Sequence, residues 1–235
     1  MTELIAVRHA EARTAGLIGG PRTCTGLSDV GRQQARLLAD RLHRQLNHTR
    51  VTLYTSPRPR AAETTAVVAG RLGIPPVTVD DLRDPDCGID ADGRTWQDML
   101  AEAKAAGRIY DASIPLSDGG EPWATFLARI NPMLQDIAGR HPHDTAILVG
   151  HASTVRAVHQ ILVGLPLDRW PTAHLEVANA SMTTWTFTSE RWTLICHNDH
   201  HHLDEQPHPA DHRHLNGQRQ QAPQQRHRPR RGQEW

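Results

Sequence analysis

Arg8 and His9 stand together at the end of the apolar run Leu4-Ile5-Ala6-Val7. A neutral imidazole can attack phosphorus while a neighbouring guanidinium holds the phosphoryl oxygens. Other polar groups follow short apolar runs in the same way. Ser56, Arg58 and Arg60 follow Val51 to Thr55, Asp84 follows Val77 to Val79, and His151 follows Thr145 to Gly150. The arginines are planar forks for phosphate oxygens. A histidine can be the nucleophile, and a carboxyl can give a proton to a leaving alkoxide and take one from water. For any one of these groups a salt-bridged strand end is the better reading. Two arginines, two histidines and one carboxyl together read as a phosphoryl-transfer site.

For such groups to meet, the runs must be neighbouring strands of one sheet, because open α/β sheets bind ligands at the carboxyl ends of their strands. The remaining pattern fits. Ser28 is a candidate N-cap for a helix carrying Val30, Leu37, Leu38, Arg41, Leu42 and Leu46 at helical spacing. Further helices are predicted over 61–72, stopped by Gly73 and Pro75-Pro76, and over 96–106, 123–139 and 153–163. Residues 181–188 and 192–197 alternate as a β-hairpin turning at Ser189, Glu190 and Arg191. Strands alternating with helices predict an α/β sheet covered on both faces.

The 235 residues suit one α/β domain with additions. Lys+Arg and Asp+Glu both number 26, so no global field points to nucleic acid or a membrane. Lys104 is the single lysine, which reads as composition bias. Cys24, Cys87 and Cys196 are widely spaced and form no CxxC pair, which favours a reducing cytoplasm over disulfides or a cysteine zinc site. The start of the chain lacks the pattern of a signal peptide, and no run approaches the ~20 apolar residues of a membrane span. The aspartates of 80–93 do not fit calcium-loop spacing and read as a solvated loop. A folded domain is expected over 1–205. The His-, Gln-, Arg- and Pro-rich tail, 206–235, is expected to be disordered. His200-His201-His202 and the tail could bind a metal weakly, as any histidine tract can.

These motifs, in this order, resemble the histidine phosphatase superfamily, the phosphoglycerate-mutase-like enzymes, and within it the branch of small-molecule phosphatases. The resemblance covers roughly residues 2–204. The family's Arg-His-Gly stands here as Arg8-His9-Ala10, and its Leu-Thr-x-x-Gly-x-x-Gln-Ala as Leu27 to Ala35. Its Ser-x-x-x-Arg-Ala-x-x-Thr-Ala is similar to Ser56 to Ala66, and its Leu-x-Glu-x-x-x-Gly to Leu82 to Gly88, with Asp84 for Glu. Its Gly-Gly-Glu stands as Gly119-Gly120-Glu121, its Val-x-His-x-x-x-x-Arg as Val149 to Arg156, and its closing Asn-Asp-x-x-His-Leu as Asn198 to Leu203, one residue longer.

The resemblance implies a three-layer α/β/α sandwich around a mixed, mostly parallel sheet. It implies a metal-independent phosphomonoesterase acting on a small phosphorylated metabolite, with no metal or organic cofactor. His9 would carry a phosphohistidine. Arg8, Arg60 and His151 would cradle the phosphoryl group, with Arg58 and Ala152 as further contacts. Asp84 would protonate the leaving group. A homodimer is compatible with this. The alternatives are a phosphomutase, whose Trp-Asn signature after the first motif is absent, and a non-catalytic binding protein on the same fold.

Several positions depart from the family pattern. Ala12 and Ala15 replace a Thr and an Asn, with Thr14 or Thr23 as candidate substitutes. Ala10 is expected to add a methyl beside the phosphate pocket, and Asp84, one methylene shorter than Glu, must approach more closely or work through a water. Specificity is expected from three lids, 11–26, 85–95 and 108–122. Trp96, Tyr110, Trp123 and Trp170 are candidates to stack on a substrate ring, although such aromatics more often pack a core. Arg13, Arg22, Arg83 and Arg94 are candidates to meet a second anionic group.

Overall fold

The computed structural model describes residues 1–46, 49–188 and 190–204. The predicted tail lies outside the described residues. The chain runs β1 (Thr2–Arg8), α1 (Asp29–Gln45), β2 (Val51–Thr55), α2 (Pro59–Leu72), β3 (Pro76–Thr78), α3 (Trp96–Ala105), α4 (Trp123–Arg140), β4 (Thr145–Gly150), α5 (Ala152–Val163), β5 (Met182–Thr188) and β6 (Arg191–Asp199). Short 3-10 turns sit at Asp80–Leu82, Arg108–Tyr110 and His201–Leu203.

The six strands form one sheet in the order β3-β2-β4-β1-β5-β6. The pairs β2–β3, β2–β4 and β1–β4 are parallel, while β1–β5 and β5–β6 are antiparallel. β1 and β4 are buried on both faces, which explains their nearly unbroken apolar runs. Their side chains alternate between two cores. Ile5, Val7, Ile147 and Val149 pack with Leu38 and Leu42 of α1 and Val68 of α2. Leu4, Ala146 and Leu148 pack on the other face with Phe126 and Ile130 of α4 and Val158 of α5. The result is the expected three-layer α/β/α arrangement around a mixed sheet.

Register brings the site together. Arg8 pairs with Gly150, and Val149 pairs with both Val7 and Thr55. The residues that follow β1, β2 and β4 therefore leave the same edge of the sheet side by side.

Local sequence sets the helix ends. Ser28 accepts a hydrogen bond from Gly31 N at 2.9 Å and caps α1 as expected. Val30, placed on the apolar stripe of that helix by its spacing, is instead 55% exposed; Gly31 and Ala35 are the residues turned inward there. α2 starts two residues earlier than a reading from Ala61, because Pro59 suits the first helical position. β3 is Pro76–Thr78, one residue earlier than expected. His151 is itself the N-cap of α5, its N–H donating to Thr154 Oγ1 at 3.1 Å. Among the described residues no helix is long and apolar enough to cross a membrane.

Candidate active site

His9 emerges from β1 and is 7% exposed. Its Nδ1 donates to the Ala10 carbonyl at 2.7 Å, and its Nε2 accepts from Arg60 Nε at 3.0 Å. A carbonyl can only accept and a guanidinium can only donate, so these two bonds fix one tautomer, with the lone pair on Nε2. Burial, then the neighbouring His151 and Arg60, push the His9 pKa well below the ordinary imidazole value. The ring is neutral and nucleophilic at physiological pH. Asn179 Nδ2 and Ala180 N both donate to the His9 carbonyl at 3.2 Å and hold its backbone.

Arg60, in the first turn of α2, is 4% exposed and ties the site together. Besides His9 it donates to Asp84 Oδ2 at 2.8 Å, Gly19 O at 2.7 Å and Cys24 Sγ at 3.2 Å. His151 lies against His9 with ring centroids 5.2 Å apart, edge to face. Its Nε2 shares a hydrogen bond of 2.9 Å with Ser56 Oγ, and its Nδ1 is 3.6 Å from Asp84 Oδ2. Burial, against the pull of Asp84 and with the help of three arginines, lowers the His151 pKa to about 3. Burial alone would raise the Asp84 carboxyl. The charges of His151 and Arg60 and the Ser153 hydroxyl, which donates to Asp84 Oδ1, outweigh it and hold the group below the usual carboxylate range. Since His151 is neutral at pH 7, Arg60 is the standing counter-ion.

Arg8 donates to the Val177 carbonyl at 2.5 Å. Arg8, His9, Arg58, Arg60, Asp84 and Ala152 all line one cavity of about 440 Å³. Ala152 is the first residue of α5, so the cavity also meets a helix N-terminus, with its unpaired N–H groups and positive dipole. Positive charge, a neutral nucleophile and a carboxyl thus surround one space. The space can hold a phosphoryl group in contact with a nucleophile and a proton carrier. Of the sequence-predicted site residues only His151 does not line the cavity; it is 1% exposed and lies behind it, against His9, Ser56 and Asp84.

Ala12, Ala15 and Thr14 also line the cavity, so Thr14 is available where the two alanines offer no hydroxyl or amide. Thr23 is not, because its hydroxyl is committed to Asp92 and Ile18 O. Ala10 is fully buried, and its methyl packs in the α1/α2 core with Leu27, Ala35 and Ala61, not beside the phosphate pocket; its N–H donates to Thr64 Oγ1 at 3.1 Å. None of Arg13, Arg22, Arg83 and Arg94 lines the cavity. Arg22, Arg83 and Arg94 are paired with Asp92, Asp80 and Glu102. Of the candidate aromatics, Trp96 lines the cavity, Tyr110 is 73% exposed outside it, and Trp123 is buried, stacked on Trp170 at 4.9 Å and 17°.

Two groups of residues escaped the sequence reading. Ser153 was visible only as a hydroxyl two residues after His151. Glu121 and Arg129 form a two-bond fork, both bonds 2.8 Å, and Arg129 also donates to the carbonyls of Asp81 and Arg83. That fork fixes the segment that carries Asp84. In the sequence Glu121 stands out only as part of a Gly-Gly-Glu motif, and Arg129 is one arginine among many on helices. Among the described residues, no three His, Cys, Asp or Glu side chains gather as a metal site. His202 is buried apart from the exposed His201, so the three histidines of 200–202 do not share one face.

The chain is 29% identical over 183 residues to phosphoserine phosphatase 1 of Hydrogenobacter thermophilus, covering 72% of this chain and 80% of that one. It is 30% identical over 178 residues to glucosyl-3-phosphoglycerate phosphatase of Mycolicibacterium vanbaalenii, covering 72% and 77%. A solved mycobacterial glucosyl-3-phosphoglycerate phosphatase, in complex with VO3, superposes with a TM-score of 0.70 at 26% identity, over 83% of this chain and 98% of that one. The family profile matches residues 4–200, and the chain belongs to the histidine phosphatase superfamily, branch 1.

Proposed function

We propose that this protein hydrolyses a small phosphorylated metabolite through a covalent phosphohistidine on His9, without a metal. One observation carries the reading: the buried Arg60 bridges the lone pair of His9 Nε2 at 3.0 Å and the Asp84 carboxylate at 2.8 Å, all three lining one cavity. An incoming phosphate takes over the Arg60 fork and frees both ends at once. Arg8, Arg58, Arg60, His151 and the Ala152 N–H hold the phosphoryl oxygens. His9 Nε2 attacks phosphorus and the ester P–O bond breaks. The bound dianion, having taken Arg60 from Asp84, raises the affinity of that carboxyl for a proton, which passes to the leaving oxygen. Water then attacks the phosphohistidine and gives its proton to Asp84, releasing phosphate and restoring the His9 lone pair.

Membership of the family and the relatives named as phosphatases support the substrate class. Three free cysteines, Cys24, Cys87 and Cys196, support a cytoplasmic location. The test is phosphate release from a panel of phosphomonoesters in EDTA, with His9→Ala alongside and acid-labile, base-stable labelling of the wild type as the mark of phosphohistidine. Release that persists in His9→Ala would refute the mechanism.

A further inference from the structure

Beyond Asp84 the site opens into a second chamber of about 660 Å³. The two spaces share a wall: Asp84, Trp96, Leu100, Ser153, Arg156 and His174 line both. In the proposed mechanism Asp84 gives its proton to the ester oxygen, and Asp84 lines both spaces, so the group attached to that oxygen is directed past Asp84 toward the second chamber. Its far wall is largely apolar, built from Ile109, Leu116, Val163, Leu165, Trp170 and Leu175.

Three polar groups of that chamber are spent, whereas Lys104 is an exposed cation of its lining. Glu121 is held by the two-bond fork of Arg129. Gln160 accepts from Trp123 Nε1 at 2.9 Å and donates to the carbonyls of Pro166 and Arg169. Arg156 donates to Leu175 O at 3.1 Å and pairs with His174 at 3.0 Å. A serine- or glycerate-sized leaving group would fill only the throat and leave the apolar wall wet.

We infer that this chamber selects phosphomonoesters whose alcohol carries a bulky apolar part, a ring or a branched chain, in preference to three-carbon polar ones. The inference rests on the phosphatase reading for its direction of departure, but the chamber binds by burial of apolar surface. Each methylene removed from water strengthens binding by roughly threefold to fourfold.

The test uses two series. Ethyl, butyl and 2-cyclohexylethyl phosphates have leaving alcohols of nearly equal acidity, so kcat/KM reads the chamber and not the chemistry. Methyl-, butyl- and 2-cyclohexylethylphosphonate cannot be hydrolysed, and their Kd by calorimetry reads the chamber without turnover. The expected result is a gain of about tenfold or more from the smallest to the largest member of each series. Leu165→Asp and Ile109→Asp, two positions near the surface of the far wall, should each shrink that ratio at least fivefold. A flat ratio in both series, or a ratio untouched by both variants, overturns the inference. If no ester is hydrolysed yet the phosphonates gain affinity with size and lose it in the variants, the phosphatase reading falls and the chamber stands.

Discussion

Arg60 points its Nε at the Nε2 of His9 from 3.0 Å, so the resting nucleophile is capped by the cation that will hold its target. The same guanidinium reaches Asp84 Oδ2 and Gly19 O. A point charge cannot make these bonds together. Arg60→Lys should therefore lower kcat/KM by about 10²–10³ while the fold survives. Steady-state kinetics with a thermal melt check this, and a loss below tenfold would show that charge alone is enough.

Asp84 is needed in proportion to the difficulty of the leaving group. Asp84→Asn keeps the shape, removes the proton carrier and releases Arg60 from its counter-ion. The rate on an alkyl phosphate should fall about 10²–10⁴-fold, whereas p-nitrophenyl phosphate, whose leaving group needs no proton, should lose less than about tenfold. Equal losses on both esters would move Asp84 from proton transfer to phosphate positioning.

The strand ends were readable because a buried parallel strand has a short, nearly pure apolar run, and a polar residue after it has only one sheet edge to occupy. That logic placed Arg8, His9, Arg58, Arg60 and His151 at one sheet edge, where the structure has them. It failed where the answer depended on which side of an element meets what. Period-two alternation says that Ala6 and Val7 face opposite ways but not which helix layer each meets. For the same reason Ala10 was placed in the pocket when it belongs to the α1/α2 core. The arginines at 22 and 94 failed differently, because their partners Asp92 and Glu102 are settled by loop paths that leave no trace in local spacing, whereas Arg83 pairs with Asp80 only three residues away.

Gly31 sits in α1, where alanine is ordinarily the better helix former by about 1 kcal/mol. A Cβ there would stand 2.0 Å from the Glu11 carbonyl oxygen, because the loop leaving His9 is laid directly on the helix. Backbone cannot move aside as a flexible side chain would. Gly31→Ala should thus destabilise the protein, by about 1–3 kcal/mol, and reduce activity by shifting the loop. Urea unfolding gives the sign, and a stabilised variant would rule out the close approach.

Asp92 joins two of the expected lids. Its carboxylate accepts from Gly20 N at 2.9 Å, Arg22 N at 2.7 Å and the Thr23 hydroxyl, with 1% of the side chain exposed. The 11–26 and 85–95 segments therefore behave as one cover, with Ile18, Ala91 and Met99 packed beneath them. Asp92→Ala strands these donors, at a cost of about 1–3 kcal/mol. KM should rise several-fold with kcat less affected, and limited proteolysis should begin within 11–26. An unchanged KM would separate the clip from substrate binding.

Acid should unfold the domain earlier than its carboxylates alone require. Burial lowers His151 to about 3, and burial lowers His159 and His202 to about 4, with His197 and Arg41 assisting at the two sites. In the unfolded chain these rings titrate near 6.5. Between 6.5 and about 4 the unfolded state thus binds more protons than the folded one, so stability rises with pH there and is lost as pH falls through that window. Each ring contributes at most about 1.4 kcal/mol per pH unit. Asp84, also lowered, adds a loss of the same sign only below its ordinary carboxylate range. Urea midpoints at pH 7.5, 6.5, 5.5 and 4.5 should fall steadily, and His202→Gln should flatten the slope by up to one proton even if it lowers the midpoint at pH 7.5. A level profile above pH 5, or an unchanged slope in the variant, would mean that the buried imidazoles take up protons in the folded state as readily as in the unfolded chain.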